Sequence, residues 1–281
     1  MKQKSLSGSP IRAQALVALH DAFCRRRLDV SIDAKGYVAD FRDTLLPLVV
    51  PEDFEADLSA GDGNELQTKF RAVHSSSGLA VNCFAPFRRR KTDIYLPVAG
   101  PFDLLQFEQK CPTGLRGGRA PNLDVLITGP TSVVGIESKL TEYLTPHRAK
   151  FSPAYEAQIR DVRREEGYFR EMLKLMNDPD RYIWLDAAQL IKHAFGLANT
   201  FKDRPVTLLY LFWEPANPSA SPIFAEHRRE IASFAERVAD SSPVFKAMSY
   251  AELWSSWQDA EPADWLIQHV ADLRARYDVP L

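Results

Sequence analysis

The sequence predicts a fold of the α/β or α+β class, of which we adopt α/β, with helices around a few strands. Residues 103–110 (DLLQFEQK) alternate between apolar and polar side chains, as half-buried strands do. Two apolar runs, 123–128 and 133–140, flank a Gly-Pro turn and are typical of a hairpin. The continuous apolar run 205–215 (PVTLLYLFWEP) is typical of a fully buried strand. Segments with helical spacing lie on both sides of these strands.

The N-terminal part of the chain predicts mainly helices. Apolar residues at helical spacing predict a helix over 10–31 and a second over 36–48, the latter stopped by Pro47. An acidic, glycine-containing segment follows and leads into a helix near 64–74. Residues 75–84 (SSSGLAVNCF) predict another helix, with a serine as its N-cap.

The C-terminal part predicts further helices and one short strand. Residues 154–176 have the pattern of a long amphipathic helix, and Asp186 is a candidate cap for the helix 185–198. Later elements are a helix over 223–239, a short strand at VFKAMSY (244–250) and two C-terminal helices.

Composition restricts the class of protein. The chain has 281 residues, a net charge of -2 and 45% hydrophobic residues, which are ordinary values for a globular protein. Overall charge therefore does not favour nucleic-acid binding, and any basic surface must be local. The three cysteines are far apart and unpaired in pattern, which favours a cytoplasmic, reducing location. We see no signal peptide and no apolar span of about 20 residues.

The hairpin PNLDVLITGPTSVVGIESK carries polar residues where core strands should have none. With the turn at Gly129–Ser132, Thr128 faces Val133, and the same register brings Asp124 directly opposite Glu137. Lys139 lies two residues after Glu137 and so shares its face. The three polar groups should therefore converge on one side of the hairpin.

Two opposed carboxylates repel each other unless a positive charge lies near both. Mg²⁺ binds oxygen ligands, usually one or two carboxylates, and leaves coordination positions for water and phosphate. This favours metal-assisted hydrolysis of a phosphodiester, with Lys139 orienting water or balancing charge. The alternative is a hairpin with a Glu–Lys pair on one strand and an edge aspartate that faces solvent.

The residues of this hairpin resemble the PD-(D/E)xK signature of the restriction-endonuclease-like nucleases. Here the signature comprises Pro121, Asp124, Glu137 and Lys139, with Asn122 and Leu123 inserted between the proline and the aspartate. The resemblance covers roughly 65–215. It implies a restriction-endonuclease-like core, that is, a mixed central β-sheet flanked by helices. It also implies a Mg²⁺-dependent endodeoxyribonuclease, in which Mn²⁺ can substitute.

The same resemblance assigns roles to the three residues of the motif. Asp124 and Glu137 would be metal ligands, and Lys139 would position a metal-bound water for attack on the phosphodiester. The loop Gly61–Gly63 is the best candidate boundary, and it divides the chain into a helical extension over 1–60 packed on the core and a nuclease-like domain over 61–281. The competing hypothesis is a non-catalytic nucleic-acid-binding or scaffold protein on the same fold. The presence of all three motif residues favours the enzyme.

Two further carboxylates are candidate metal ligands. Nucleases of this kind often carry a glutamate on a helix before the first core strand, and Glu65 is in that position. Its alternative role is to interact with the positive end of the helix dipole. Glu108 lies on the strand before the motif, where it either lines the same face or pairs with Lys110 at the strand edge.

Four residues are candidates for binding nucleic acid, the partner that the resemblance implies. Arg116 and Arg119 lie in the loop that leads into the hairpin, and an arginine fork suits phosphate oxygens. Gln189 lies on the helix after the hairpin, with His193 one turn later. Ser76 is a candidate phosphate donor or a helix-cap residue. A nuclease with a single centre that cuts both strands would favour a homodimer.

Overall fold

The computed structural model describes residues 10–60, 64–115, 120–155 and 166–281. Its centre is a five-stranded sheet in the order β1-β2-β3-β4-β5. The first three strands pair antiparallel, and β3, β4 and β5 pair parallel. The strands are β1 (Leu104–Lys110), β2 (Asn122–Thr128), β3 (Val133–Lys139), β4 (Val206–Phe212) and β5 (Val244–Ser249). The sheet is therefore mixed, and all the predicted strands are confirmed.

Helices flank this sheet on both sides. The described α-helices are α1 (Pro10–Arg26), α2 (Glu55–Ser59), α3 (Ser76–Phe84), α4 (Gly167–Asn177), α5 (Ala187–Thr200), α6 (Pro222–Arg237), α7 (Tyr250–Asp259) and α8 (Asp264–Tyr277). The N-cap of α3 is Ser75, whose hydroxyl accepts a hydrogen bond from Gly78 N, and this confirms the predicted serine cap. Within the helix predicted over 154–176, residues 156–165 lie outside the described residues.

The two faces of β3 contact different helices. Gly135 lies under α5, and a Cβ at this position would come within 2.8 Å of Leu197 on that helix. Ser138 points to the other face, where its hydroxyl lies 2.7 Å from the hydroxyl of Tyr250 at the start of α7. The motif residues Glu137 and Lys139 share the Gly135 face. They therefore point towards α5.

The helices predicted over 36–48 and 64–74 are wrong. The first region contains only a short 3₁₀ turn, Phe41–Thr44, and the second contains the 3₁₀ turns Glu65–Gln67 and Lys69–Arg71. At the start of the first region the carboxylate of Asp33 accepts a bond from Tyr37 N, and within it that of Asp40 accepts a bond from Arg42 N. Such local side-chain bonds compete with the helical pattern. The apolar periodicity was therefore misleading here.

The hydrophobic core includes residues from both ends of the chain. Leu19 of α1 belongs to the same core cluster as Val125 of β2 and Leu273 of α8. The edge strand β1 is covered as well, because Asp57 accepts a bond from Phe107 N and Arg88 donates to Leu105 O.

The division into 1–60 and 61–281 stays a prediction. Among the described helices, none has the length and apolar character needed to cross a membrane.

Candidate active site

The hairpin of β2 and β3 has the predicted register. Thr128 pairs with Val133, and Val125 pairs with Ile136. The paired ladder ends at Val125 and Ile136, and Asp124 and Glu137 are the next residues of the two strands. The Asp124 Oδ2 atom accepts a 2.6 Å hydrogen bond from the backbone N–H of Ser138, which holds the carboxylate against β3.

A third carboxylate continues this row on β1. Glu108 lies between Phe107 and Gln109, whose partners on β2 are Val125 and Leu123, so it lies across from Asp124. Its φ of 49° is unusual for a residue other than glycine and interrupts the regular ladder. Local strain of this kind is often found at functional sites. The row Glu108–Asp124–Glu137 runs across the three antiparallel strands.

Lys139 joins the motif to α5. Its Nζ donates a 2.5 Å bond to Glu137 Oε1 and a 2.9 Å bond to Gln189 Oε1. Gln189 is in the first turn of α5, where the Asp186 carboxylate caps the helix by accepting a bond from Gln189 N. The predicted cap at Asp186 is thus confirmed. The helix-borne glutamine and the strand-borne lysine meet at the end of β3.

His193 approaches Glu137 from the same helix. Its Nε2 lies 2.8 Å from Glu137 Oε2, and both side chains are buried, at 0% and 2% exposure. The contact is close but lacks the alignment of a hydrogen bond. Each oxygen of Glu137 therefore contacts a nitrogen, from Lys139 on one side and His193 on the other.

These contacts determine the charge state of Glu137. Burial raises its pKa, but Lys139 and His193 outweigh that effect and lower the pKa to about 2. The pKa of Lys139 is raised above its ordinary value, because Glu137 and Asp124 outweigh its own burial. Glu137 and Lys139 are therefore ionised together near neutral pH.

The other two carboxylates of the row are not compensated in this way. Burial, followed by repulsion from Glu137, raises the pKa of Asp124 well above its ordinary value. Burial and repulsion from Glu65 and Glu137 raise the pKa of Glu108 to about 7. Glu65 therefore lies close enough to act on this row, and its carboxylate accepts a 2.7 Å bond from Ser77. The row contains more negative charge than its neighbours neutralise.

This donor set fits a divalent cation. A cation near Asp124 would relieve the repulsion that raises the pKa of both Asp124 and Glu108. Within the described residues, no three His, Cys, Asp or Glu side chains already form a metal-binding cluster. Mg²⁺ commonly binds one or two protein carboxylates and completes its shell with water and phosphate oxygens. Asp124 and Glu137 are the residues that would hold it, with Glu108 as the next carboxylate in the row.

The remaining predicted residues have different outcomes. Arg116 and Arg119 lie outside the described residues, so their predicted contact with nucleic acid stays a prediction. Ser76 is the first residue of α3 and is partly exposed, but its neighbour Ser77 is the serine that contacts Glu65. The sequence interpretation gave His193 no role of its own. The spacing of four residues between Gln189 and His193 could have identified His193 as a neighbour of the site, since residues i and i+4 share a helix face.

The anchoring of the segment before α5 explains how this helix reaches the motif. Glu230 of α6 accepts bonds of 2.8 Å each from the backbone N–H groups of Ile183, Trp184 and Leu185. This segment leads directly into the Asp186 cap. The carboxylate of Glu230 therefore fixes the segment that precedes α5. It thereby helps to position Gln189 and His193 on that helix.

The fold and the comparisons define the class of protein. A mixed five-stranded sheet flanked by helices is an α/β architecture of the restriction-endonuclease-like kind. A family model described as "Restriction Endonuclease associating with ARP" matches residues 11–278, and the chain belongs to this family. Comparison with curated proteins found no match, and neither did comparison with solved structures.

Proposed function

We propose that this protein is a metal-dependent nuclease of the PD-(D/E)xK type that hydrolyses phosphodiester bonds in DNA. The observation that carries the proposal is the convergence of Asp124, Glu137 and Lys139 with Gln189 at the end of β3. Lys139 bonds to Glu137 and Gln189 at once, at 2.5 and 2.9 Å. The restriction-endonuclease-like family supports the same chemistry.

Each residue would have a distinct role. Asp124 and Glu137 would hold Mg²⁺ or Mn²⁺, and Glu108 with Glu65 would extend the carboxylate set on the β1 side. The bound cation supplies charge neutralisation at the phosphate and lowers the pKa of water. Lys139, only 14% exposed and held by Gln189, would orient the attacking water and balance charge on the phosphate. His193 would hold the second oxygen of Glu137.

The ion pair between Lys139 and Glu137 also favours a second candidate function. Both oxygens of Glu137 are already in contact with Lys139 and His193. A structural ion cluster would have this arrangement, and so would a catalytic metal site before the metal binds. On this interpretation the protein would be a non-catalytic nucleic-acid-binding or scaffold protein. The two functions differ in metal binding and in cleavage.

The test is cleavage of supercoiled plasmid and of single-stranded DNA with Mg²⁺, Mn²⁺ or EDTA. We expect metal-dependent cleavage by the wild-type protein and a loss of about 100-fold or more in Asp124→Asn. Asp103→Asn is the matched control, because Asp103 is exposed just before β1. No cleavage by the wild type, together with no calorimetric Mg²⁺ or Mn²⁺ binding, would favour the non-catalytic function. Equal activity of Asp124→Asn and wild type would overturn the assignment of the site.

A further inference from the structure

A cavity lies away from the carboxylate row, where the end of α1 meets α8. Its volume is about 260 Å³, and the charged residues that line it are Arg26, Arg27, Arg276 and Asp43. Three arginines thus face one acidic side chain. None of these residues belongs to the candidate active site.

Arg276 of α8 is the unusual member of this set. Its side chain is buried, with a relative exposure of 3% for the residue. Its guanidinium donates to the backbone carbonyls of Leu19 and Val73 and lies over the rings of Phe23 and Tyr277. Its Nε is buried and has no hydrogen-bond partner. Two carbonyls and two rings therefore surround the charge without neutralising it.

The lack of a counter-ion makes the buried charge costly. Among the described residues, no carboxylate lies within ion-pair distance of Arg276. Burial lowers the pKa of Arg276, and neighbouring Arg26 acts in the same direction. A buried cation without an anion is strongly destabilising unless a partner compensates it. Arg276 is thus the guanidinium at this cavity that has no carboxylate partner.

The two other arginines are already paired. Arg26 contacts Asp272 at 2.6 Å, and Arg27 contacts Asp29 at 3.1 Å and Asp43 at 3.2 Å. These pairs hold the two guanidinium groups at the cavity, and Arg276 is the third guanidinium, the one without a carboxylate partner. Guanidinium groups suit phosphate because their planar donors match its oxygens.

We propose that this cavity binds a small phosphate-bearing anion, with Arg276 as its buried counter-ion. The volume is just below the range of about 300–1,000 Å³ that is usual for drug-sized ligands, which favours a compact group such as phosphate or a phosphomonoester. Two sources share this chemistry: free phosphate compounds and the terminal phosphate of a nucleic acid. The proposal does not depend on the nuclease function, since it uses no residue of that site.

Isothermal titration with inorganic phosphate, in EDTA, tests the proposal. We expect saturable one-site binding to the wild type that is about tenfold or more weaker in Arg276→Lys and in Arg26→Gln. Arg25→Gln is the matched control, because Arg25 is an exposed residue of the same helix that does not line this cavity. The control should bind like the wild type. Circular dichroism checks folding, and if Arg276→Lys does not fold, Arg26→Gln decides.

Competition identifies the source of the phosphate. Displacement of inorganic phosphate by a 5′-phosphorylated oligonucleotide, but not by its 5′-hydroxyl counterpart, would support a nucleic-acid end. Displacement by a nucleoside monophosphate alone would support a free compound. Absence of saturable phosphate binding to the wild type would overturn the proposal. Equal binding by the wild type and both cavity variants would overturn it too, and so would displacement of phosphate by the 5′-hydroxyl oligonucleotide.

Discussion

Glu137 is the residue on which the charge pattern of the site depends. Its two oxygens contact Lys139 at 2.5 Å and His193 at 2.8 Å, so it stays ionised although it is buried. The ionised forms of Asp124 and Glu108 are destabilised, because each carboxylate is buried and is repelled by the charge of Glu137. The site therefore combines one compensated carboxylate with two that a cation would stabilise.

The Glu108→Gln variant tests this electrostatic arrangement through stability. The folded-state pKa of Glu108 is raised from 4.5 to about 7, so the folded protein holds a proton that the unfolded chain has lost between these values. The stability contributed by the protonated form is fully present below pH 4.5 and is lost as the pH rises through 7. Glutamine cannot ionise and avoids this loss.

We therefore expect Glu108→Gln, in EDTA, to be more stable than the wild type by about 1–3 kcal/mol above pH 7, allowing for partial exposure. The difference should shrink towards pH 4.5, and added Mg²⁺ should reduce it by stabilising the wild type. Urea unfolding at several pH values measures both effects. A variant that is less stable than the wild type above pH 7 in EDTA would contradict this electrostatic picture.

His193 shows what sequence reasoning could and could not provide at the scale of residues. Asp124, Glu137 and Lys139 could be predicted because a tight turn determines the hairpin register and side chains alternate along strands. The contact of His193 with Glu137 depends instead on how α5 crosses the sheet. That crossing is set by tertiary packing, such as the close approach of Leu197 to Gly135, which no local pattern encodes.

At the scale of elements, α5 is the helix that completes the site. Its N-terminal turn carries Gln189, and Glu230 of α6 holds the segment that leads into it. The strands and the long helices could be predicted from the periodicity of apolar residues. The structure of regions 36–48 and 64–74 could not, because side-chain-to-backbone bonds and short 3₁₀ turns replace the predicted helices there.

The Glu230→Gln variant tests the positioning of α5. Loss of a charged acceptor for three backbone N–H groups should cost about 1–3 kcal/mol and loosen the approach to this helix. We expect faster amide exchange at Ile183, Trp184 and Leu185, and slower DNA cleavage because Gln189 no longer holds Lys139 firmly. The control is Glu236→Gln, which alters an exposed residue of the same helix. Unchanged exchange at all three amides would rule out this role for Glu230.

At the scale of the whole molecule, the core joins the N-terminal helix to the sheet and to the C-terminal helices. Leu19, Val125 and Leu273 belong to one cluster, and Asn82 of α3 bonds to Tyr277 of α8 at 2.9 Å. We expect one cooperative unfolding transition in calorimetry, because loss of α1 would expose the same core that covers the sheet. Two well-separated transitions would instead indicate that residues 1–60 fold as an independent unit.

Acid stability of the whole molecule should depend on His227. This buried ring stacks on Tyr143 with centroids 4.0 Å apart, and burial, aided by Arg228 and His147, lowers its pKa from 6.5 to about 3. Because the folded pKa is depressed, the stability is present above pH 6.5 and is lost as the pH falls towards 3. The slope approaches about 1.4 kcal/mol per pH unit between these values.

His227→Phe removes this titration while keeping an aromatic ring. We expect the variant to lose the bond to Tyr210 and to be less stable near neutral pH, but to lose stability less steeply on acidification. Chemical unfolding at successive pH values below 6.5 measures the slope. Parallel slopes for variant and wild type would exclude His227 as a source of acid sensitivity.

The most direct measurement is the nicking rate of supercoiled plasmid in Mg²⁺ for wild type, Lys139→Ala and Lys246→Ala. Lys246 is an exposed lysine on β5 of the same sheet and provides the matched control. We predict that Lys139→Ala loses about 100-fold or more of the rate, since in the proposed mechanism Lys139 orients the water and balances charge on the phosphate, whereas Lys246→Ala keeps the wild-type rate. Equal, metal-dependent nicking by all three proteins would contradict a catalytic centre at the end of β3.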